Sequence, residues 1–272
     1  DDRILRYKPD AVSIWTTSGR QTIPFVCGER QRALLASRQG ESDLVYRDGS
    51  WYLLTTVNVD EPPEGPITGF LGVDLGIVHI ATDSDGTAYS GAQVNGLRRR
   101  HRRLRQKLQR KGTHAARRLL KRRRWKEARF ARDVNHVLSK RIVAVAQGTG
   151  RGIALEDLRG ILSRVSARKP QRATLHSWSF HQLGQFVTYK ARLAGVPLVH
   201  VNPRNTSRTC PACGNVDKAN RRSQSSFLCT RCTFAGNADH LAAINIGRRA
   251  SVMTPHIPTP ARSVRQGQAS GF

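Results

Sequence analysis

The chain has 272 residues and carries 46 lysines and arginines against 19 aspartates and glutamates, a formal net charge of +27. This excess indicates a polyanionic partner, and nucleic acid is favoured over a membrane surface because the sequence has neither a run of about 18 apolar residues nor a signal-peptide pattern. The composition therefore excludes a membrane-spanning protein and predicts a cytoplasmic one that binds nucleic acid.

Residues 1–66 predict a β-rich region. Short alternating runs are interrupted by Ser18-Gly19 and Asp48-Gly49, and the second of these dipeptides is a good hairpin signal. We expect the remnant of a β-barrel or sheet. The sequence opens in strand-like material with no methionine near its start, so we also expect a fragment. The Pro- and Gly-rich stretch 61–66 predicts a boundary, with a new domain from about Ile67.

The second domain opens with an apolar strand that ends at Asp74. The next residues predict two more strands around a turn at Asp85-Gly86, so three antiparallel strands are expected. Further along the chain, residues 152–158 predict a short buried strand that ends in acids. Residues 180–194 then predict a helix, and residues 196–201 predict another strand.

A strongly basic segment lies between these strands. Residues 97–132 hold 18 lysines or arginines and one acid, Glu127. Apolar residues recur at helical spacing, and Lys111-Gly112-Thr113 separates two helices, which predicts a helical hairpin over residues 97–147. Ordinary solvated helix faces mix both charge signs, so this hairpin is predicted to contact phosphates. The expected nucleic-acid-binding residues are Arg98, Arg99, Arg100, Arg102, Arg103, Arg105, Lys107, Arg117, Arg118, Lys121, Arg122, Arg123 and Arg124.

Several other features receive structural interpretations. Trp125 and Phe130 are expected in the core rather than stacked on bases, and Cys27 is expected to be a small buried residue without chemistry. Residues 160–178 are polar and basic and are expected to be mobile. A short helix over 238–248 is expected to lead into a disordered tail, residues 251–272, rich in Ser, Pro and Gln.

Four of the five cysteines form two close pairs, Cys210-x-x-Cys213 and Cys229-x-x-Cys232, with fifteen residues between the pairs. Each pair can present two thiolates to one ion, and four thiolates complete the tetrahedron that Zn²⁺ accepts. Unmetallated thiols or two disulfides are the alternative, which a reducing compartment disfavours. We predict a structural zinc ribbon over residues 206–236 that takes no part in catalysis.

Three acids stand out in so basic a chain. Asp74 and Glu156 close predicted strands, and Asp239 begins a helix after the cysteines. Each alone has a structural explanation as a turn or cap residue. In combination, their order is that of an RNase H-like nuclease, an α/β fold, in which carboxylates hold two Mg²⁺ ions that activate water and stabilise the leaving oxygen. We predict this core over residues 67–205, completed by a final helix over residues 237–250.

The same residues resemble the TnpB (OrfB) family of insertion-sequence proteins, which is related to the single-protein type V CRISPR effectors. Gly72-Val73-Asp74-Leu75-Gly76 resembles the first RuvC motif of that family, and Leu155-Glu156-Asp157-Leu158 resembles the second. Asn237-Ala238-Asp239, with the following Ala242–Ile246, resembles the third, and Thr206–Gly214 resembles the entry to the zinc ribbon. The likeness runs from about residue 67 to residue 249, and residues 1–60 are similar in position to the end of the wedge barrel of that family. Two positions depart from the family pattern: Thr233, where glycine is frequent, and Leu241, where asparagine is usual.

The resemblance implies a transposon-associated, RNA-guided DNA endonuclease of the prokaryotic cytoplasm and nucleoid, with DNA and a guide RNA as partners. It implies that Asp74 bridges two Mg²⁺ ions while Glu156 and Asp239 hold one each, and that the zinc is structural. Two other interpretations stay open: a DNA transposase that also joins strands, since fold alone does not choose the chemistry, and a nuclease-inactive regulator that only binds nucleic acid.

Overall fold

The computed structural model describes residues 3–47, 49–158 and 180–254, without the side chains of Arg124 and Phe180. The chain divides into two compact units between Asp60 and Glu61. The segment 160–178 and most of the tail, both predicted to lack regular structure, lie outside the described residues. None of the helices in the described part of the chain has the length and apolar character needed to cross a bilayer.

The first unit contains two small antiparallel sheets. Its elements are β1 (Leu5–Tyr7), β2 (Ala11–Thr16), β3 (Gly19–Pro24), α1 (Glu29–Leu34), β4 (Arg38–Arg47) and β5 (Ser50–Val57). Strands β1, β2 and β3 form one sheet, and β4 and β5 form the other. The predicted hairpin at Asp48-Gly49 is confirmed by the pairing of β4 with β5, and β2 and β3 form a second hairpin at Gly19. Gly19 has φ 89° and Gly49 has φ 87°, values that glycine adopts without strain.

The barrel expected for this unit stays a prediction. The described residues show two sheets tied together by the Tyr7 hydroxyl, which reaches the hydroxyls of Ser42, at 2.9 Å, and Thr55. Sequence patterns missed β1 and α1 because both are short. The prediction that Cys27 is buried is wrong: its side chain is only partly buried, next to the fully exposed Val26.

The second unit is built on a five-stranded mixed sheet. Its elements are β6 (Phe70–Asp74), β7 (His79–Asp83), β8 (Ala88–Ser90), α2 (Ala92–Lys111), α3 (His114–Gly148), β9 (Gly152–Glu156), α4 (Phe180–Leu193), β10 (Leu198–Val201), β11 (Ser226–Leu228), β12 (Ala235–Asn237) and α5 (Ala238–Met253). The strand order is β10-β9-β6-β7-β8. Strands β6, β7 and β8 are antiparallel, as predicted, whereas β9 runs parallel to β6 and β10 runs parallel to β9.

Helices cover both faces of this sheet. Apolar residues of β6, β7 and β9 pack on one face with side chains of α3 and α4, among them Leu138, Ile142, Leu183 and Val187. On the other face, Phe70 and Ala154 pack against Ile246 and Ala250 of α5. Since successive residues of a strand point to opposite faces, each buried strand contributes to both layers. This explains why the strands read as nearly continuous apolar runs.

Several boundaries differ from those predicted. The helical hairpin is confirmed, but α2 begins at Ala92 rather than at residue 97, because Val94 is buried against the core before the basic run begins. Helix α5 continues to Met253, past the predicted end at residue 250, and stops shortly before Pro255, as the restriction that proline places on the preceding residue favours. The second unit starts at Glu61, ahead of the predicted Ile67, because the Gly65 amide donates to the Gly195 carbonyl.

Candidate active site and cysteine cluster

Three acidic side chains lie on the α5 side of the sheet, at the carboxyl ends of its central strands. Along β6, Phe70 packs toward α5, and Asp74 shares its face because alternate strand residues do so. In β9, Ala154 packs toward α5 and Glu156 shares its face in the same way. Asp239 lies in the first turn of α5 and is 7% exposed. The structure therefore brings together the three acids that the sequence singled out.

The electrostatics show that the acids face one another. Burial raises the pKa of Asp74 to about 8, the charges of Glu156 and Asp239 add to this rise, and Arg221 opposes it. Burial also raises the pKa of Glu156, against a hydrogen bond from Thr206. Such a concentration of negative charge favours binding of a cation.

The acids are more widely spaced than the ligands of a single ion. Among the described residues, the four cysteines are the only set of three or more histidine, cysteine or acidic side chains whose ligand atoms all lie within 4.8 Å of one another. A site for two ions about 4 Å apart requires carboxylates spread over a larger distance than this. The wider spacing is compatible with such a site.

Close packing of two glycines fixes α5 on the sheet. A Cβ atom at Gly72 would lie 2.0 Å from the carbonyl oxygen of Ala243 and 2.5 Å from the amide nitrogen of Gly247, so any side chain there would displace the helix. A Cβ atom at Gly247 would lie 3.0 Å from the carbonyl oxygen of Phe70. This contact sets the distance between Asp74 on β6 and Asp239 on α5.

An arginine that the sequence did not single out also belongs to the site. Arg221, in the loop between the two cysteine pairs, places Nη2 3.1 Å from Oδ1 of Asp239. The same nitrogen donates to the carbonyl of Gln224 at 2.8 Å, and Nε donates to the carbonyl of Ser223 at 3.3 Å. Nothing in the spacing of the sequence distinguishes Arg221 from its neighbour Arg222, so only the folded loop reveals its position.

The four cysteine sulfurs form a compact group. The Sγ atoms of Cys210 and Cys232 are 3.6 Å apart, as are those of Cys213 and Cys229. Sulfurs in a disulfide lie about 2.0 Å apart, whereas those around a tetrahedral zinc ion lie about 3.8 Å apart when each Zn–S bond is about 2.3 Å. The spacing fits four thiolates around one metal ion and does not fit disulfides. Buried Phe227, Leu241 and Ala238 pack around Cys210 and Cys229 and attach the cluster to α5.

Two family models match separate parts of the chain. Residues 53–159 match a family model described as OrfB_IS605, "Probable transposase", and residues 180–246 match one described as "Cas12f1-like, TNB domain". The TnpB-like protein of Methanocaldococcus jannaschii is 32% identical over 46% of this chain and 44% of its own length. Residues 53–159 and 180–246 are therefore similar to TnpB (OrfB) and Cas12f1 proteins. The CRISPR-associated endodeoxyribonuclease Cas12f1 of Sulfoacidibacillus thermotolerans, a relative of TnpB, is 31% identical over 74% of this chain and 50% of its own length.

The solved structures show a fold shared with Cas12f1. The Cas12f1 protein in a complex with sgRNA and target DNA superposes on this chain with a TM-score of 0.53 and 19% identity, covering 76% of this chain and 55% of the other. This similarity shows the α/β fold. The chain spans about half the length of the curated relatives it matches.

The two departures from the TnpB pattern have structural consequences. Thr233, which follows the last cysteine, has φ 57°, in the left-handed region that glycine adopts most easily. A β-branched residue in that conformation is strained, so the position still has the backbone that glycine suits. Leu241 is 5% exposed and packs beside Cys210 and Phe227, where its apolar side chain contributes to the core of the ribbon.

The cations of the basic helical hairpin, α2 and α3, differ in their surroundings: some lie beside the acid Glu127, and most are exposed. Arg98 is partly buried, with Nε 3.8 Å from Glu127, while His101 and Arg105 approach the same carboxylate at 3.8 and 3.5 Å. Burial lowers the pKa of the Arg98 guanidinium, and the Glu127 charge opposes that change. Glu127 thus holds α2 against α3. The other predicted contacts whose side chains are described are exposed, namely Arg99, Arg100, Arg102, Arg103, Arg105, Lys107, Arg117, Arg118, Lys121, Arg122 and Arg123.

The side chain of Arg124 lies outside the described residues, so its predicted contact stays a prediction. Phe130 packs against the core of the second unit, as predicted. Trp125 is half-exposed, so the prediction that it lies in the core is wrong.

Proposed function

We propose that this chain is the nuclease part of an RNA-guided DNA endonuclease, with an RNase H-like (RuvC) core that hydrolyses DNA phosphodiesters. The observation that supports this most directly is the convergence of Asp74, Glu156 and Asp239 from two adjacent strands and one helix. The names of relatives support the choice of substrate, since Cas12f1 is an endodeoxyribonuclease whose solved complex contains guide RNA and target DNA. The same relatives favour action in the prokaryotic cytoplasm and nucleoid.

The acidic site suits Mg²⁺. Carboxylate oxygens are the hard ligands that Mg²⁺ prefers. Burial raises the pKa of both Asp74 and Glu156, and the charges of Glu156 and Asp239 raise the pKa of Asp74 further. In our proposal Asp74, Glu156 and Asp239 would hold the ions. When bound, the ions supply an activated water and stabilise charge on the leaving oxygen.

The chain's own residues fix the geometry. Gly72 allows α5 to approach β6 closely, which brings Asp239 toward Asp74. Arg221 offsets the negative charge beside Asp239 and holds it before any cation binds. We propose that the cysteines bind Zn²⁺ and that this metal is structural, because four thiolates leave it no open position.

The exposed cations of the hairpin are proposed to bind nucleic-acid phosphates without reading sequence. Phosphate contacts position a protein on its nucleic acid but carry no base information. Sequence choice then comes from base pairing between the guide RNA and its target, which separates specificity from protein contacts.

The first test is cleavage of labelled single-stranded and duplex DNA by the protein purified with its bound RNA. Cleavage is expected with Mg²⁺, is expected to stop with EDTA or in Asp74→Ala, and should follow complementarity to the RNA. Asp133→Ala, which removes an exposed carboxylate from α3, is the matched control and should cut like wild type. Cleavage that survives Asp74→Ala would contradict the assignment of the site, and joined DNA products would favour the transposase instead.

A second test addresses the hairpin. Changing Arg102 and Arg103 to glutamine should weaken DNA binding and reduce the dependence of affinity on salt, because each lost phosphate contact removes about 0.9 from the log–log slope. Arg30→Gln, an exposed arginine in the first unit, is the matched control. An unchanged slope in the double variant would show that this surface does not contact nucleic acid.

A further inference from the structure

One of the three acids has a hydrogen-bond donor that the two-ion scheme does not use. Oγ1 of Thr206, which is 3% exposed, lies 2.5 Å from Oε1 of Glu156 and 3.0 Å from the carbonyl oxygen of Pro203. A hydroxyl has one proton, so it donates to one of these acceptors at a time. The shorter distance and the negative charge of the carboxylate favour Glu156.

The loop that carries Thr206 is positioned by the sheet. Strand β10 is parallel to β9, and its last residue, Val201, pairs in register with Glu156. The chain then turns through Asn205, which has φ 64°, so that Thr206 comes back over Glu156. The amide of Asp157 donates to the carbonyl of Val201 at 2.9 Å and extends the strand pairing past the acid.

Helix α5 fixes the same loop from the other side. Nδ2 of Asn245, which is 8% exposed, donates to the carbonyl of Thr206 at 2.9 Å and to that of Thr209 at 2.8 Å. Both amide protons of Asn245 are therefore used on this loop. Arg249, one turn further along α5, donates to the carbonyls of Asn202 and of Arg204, the latter at 2.9 Å.

We propose that Thr206 is a positioning residue for Glu156, and that Asn245 holds it in place. The hydroxyl of Thr206 occupies Oε1, which fixes the rotation of the carboxylate and leaves Oε2 for a divalent cation. Because Asn245 and Asp239 lie on the same helix, α5 sets the positions of two of the three acids, one directly and one through the loop. This inference rests on the proposed function.

The physical reason is that a carboxylate binds metal best when its orientation is fixed before binding. Hydrogen bonds from residues behind a metal ligand orient it, and their loss typically weakens metal affinity about 10–100-fold. Among the described residues, Thr206 donates a side-chain hydrogen bond to Glu156, and Arg249 and Arg221 act on the carboxylate through their charge. Removing the hydroxyl therefore frees the carboxylate to rotate without removing a ligand.

The test is the affinity of the full chain for Mn²⁺ alone, followed by the electron paramagnetic resonance signal of free Mn²⁺. Thr206→Val has nearly the same shape as threonine but no donor, and should weaken Mn²⁺ binding at the acidic site by about tenfold or more. Thr206→Ser keeps the donor and should restore affinity to within about threefold. Thr188→Val is the matched control, because it removes a partly buried hydroxyl of α4 that donates to the carbonyl of Gly184 and not to Glu156.

The outcomes separate this inference from the proposed function. Mn²⁺ affinity in Thr206→Val equal to that of wild type, or a serine variant as weak as the valine variant, overturns the positioning role. If Thr206→Val does not fold, Thr206→Ser and Thr206→Ala give the same comparison, since they differ only in the hydroxyl. If wild type shows no Mn²⁺ binding that depends on Asp74, the metal site itself is refuted and the positioning role with it.

Discussion

Asp74 should destabilise the metal-free protein at neutral and alkaline pH. Its carboxyl ionises near 3.8 in an unfolded chain and near 8 in the folded one. Below about pH 4 both states are protonated and the group has no effect on stability. As the pH rises toward 8 the unfolded state gains stability by releasing its proton, so the stability of the fold falls over that range.

The magnitude follows from the difference in proton affinity. Each tenfold change in proton affinity corresponds to about 1.4 kcal/mol, so a pKa of about 8 in place of 3.8 sets an upper limit of roughly 5 kcal/mol at about pH 8. Part of the Asp74 side chain stays accessible to water, which reduces this value. We expect Asp74→Asn, which resembles the neutral acid, to stabilise the metal-free protein by about 2–4 kcal/mol at about pH 8 and by close to zero at about pH 4.

The assay is urea denaturation followed by circular dichroism, in EDTA, at both pH values. Asp133→Asn removes a carboxylate from an exposed position on α3 and should change stability by no more than about 0.5 kcal/mol. In saturating Mg²⁺ wild type should gain stability by linkage to binding, whereas Asp74→Asn should gain little. If Asp74→Asn is no more stable than wild type at about pH 8 in EDTA, burial and the neighbouring acids do not raise the Asp74 pKa, and the description of the acidic site is wrong.

Three further predictions concern the packing of the site and the ribbon. Gly72→Ala should cost at least about 3 kcal/mol in unfolding free energy and abolish cleavage, because its Cβ meets backbone of α5 at 2.0 Å; full activity at normal stability would refute the close contact. Thr233→Gly should raise the free energy of unfolding by about 1 kcal/mol, measured by heat or urea, because it removes a β-branched residue from a left-handed conformation. A loss of stability would show that the hydrogen bond from the Thr233 hydroxyl to the carbonyl of Cys232 contributes more than the strain costs. Cys229→Ala should abolish zinc binding, measured by atomic absorption, and lower the melting temperature, and a variant that keeps its zinc would contradict the four-thiolate site.

Much of the second unit could be predicted from its sequence. Its sequence contains local signals that each predict a local structure. Apolar runs that end in acids predict the strands of the site, a glycine between two helical runs predicts the hairpin, and two closely spaced cysteine pairs predict the metal-binding cluster. The start of α2 was predicted less accurately because it was placed from charge composition and not from apolar periodicity. The basic run begins at Arg98, but the helix begins at Ala92, because burial of Val94 fixes its first turn.

The parts that could not be predicted depend on loops folding back onto the sheet. Arg221 and Thr206 both act on the acids, yet each lies in a polar segment with many similar neighbours. Their roles arise from the turn after β10 and from the loop between the cysteine pairs, and neither has a periodic pattern. A sequence motif can identify the acid that holds a metal, but the residues that orient that acid are set by tertiary contacts.

The segment that carries the cysteine cluster also contacts the acidic site directly. The segment from Thr206 to Asn237 supplies the hydroxyl on Glu156, the guanidinium on Asp239 and the cap of α5, since the Asn237 side chain accepts from the amides of Asp239 and His240. All of these contacts come from polar loops with short strands and little apolar surface of their own, which a bound metal can stabilise because binding is coupled to folding. Loss of the metal should therefore disorder the groups that orient two of the three acids even while the central sheet stays folded. In that case removal of a cysteine should reduce cleavage activity more than the loss of global stability alone would explain.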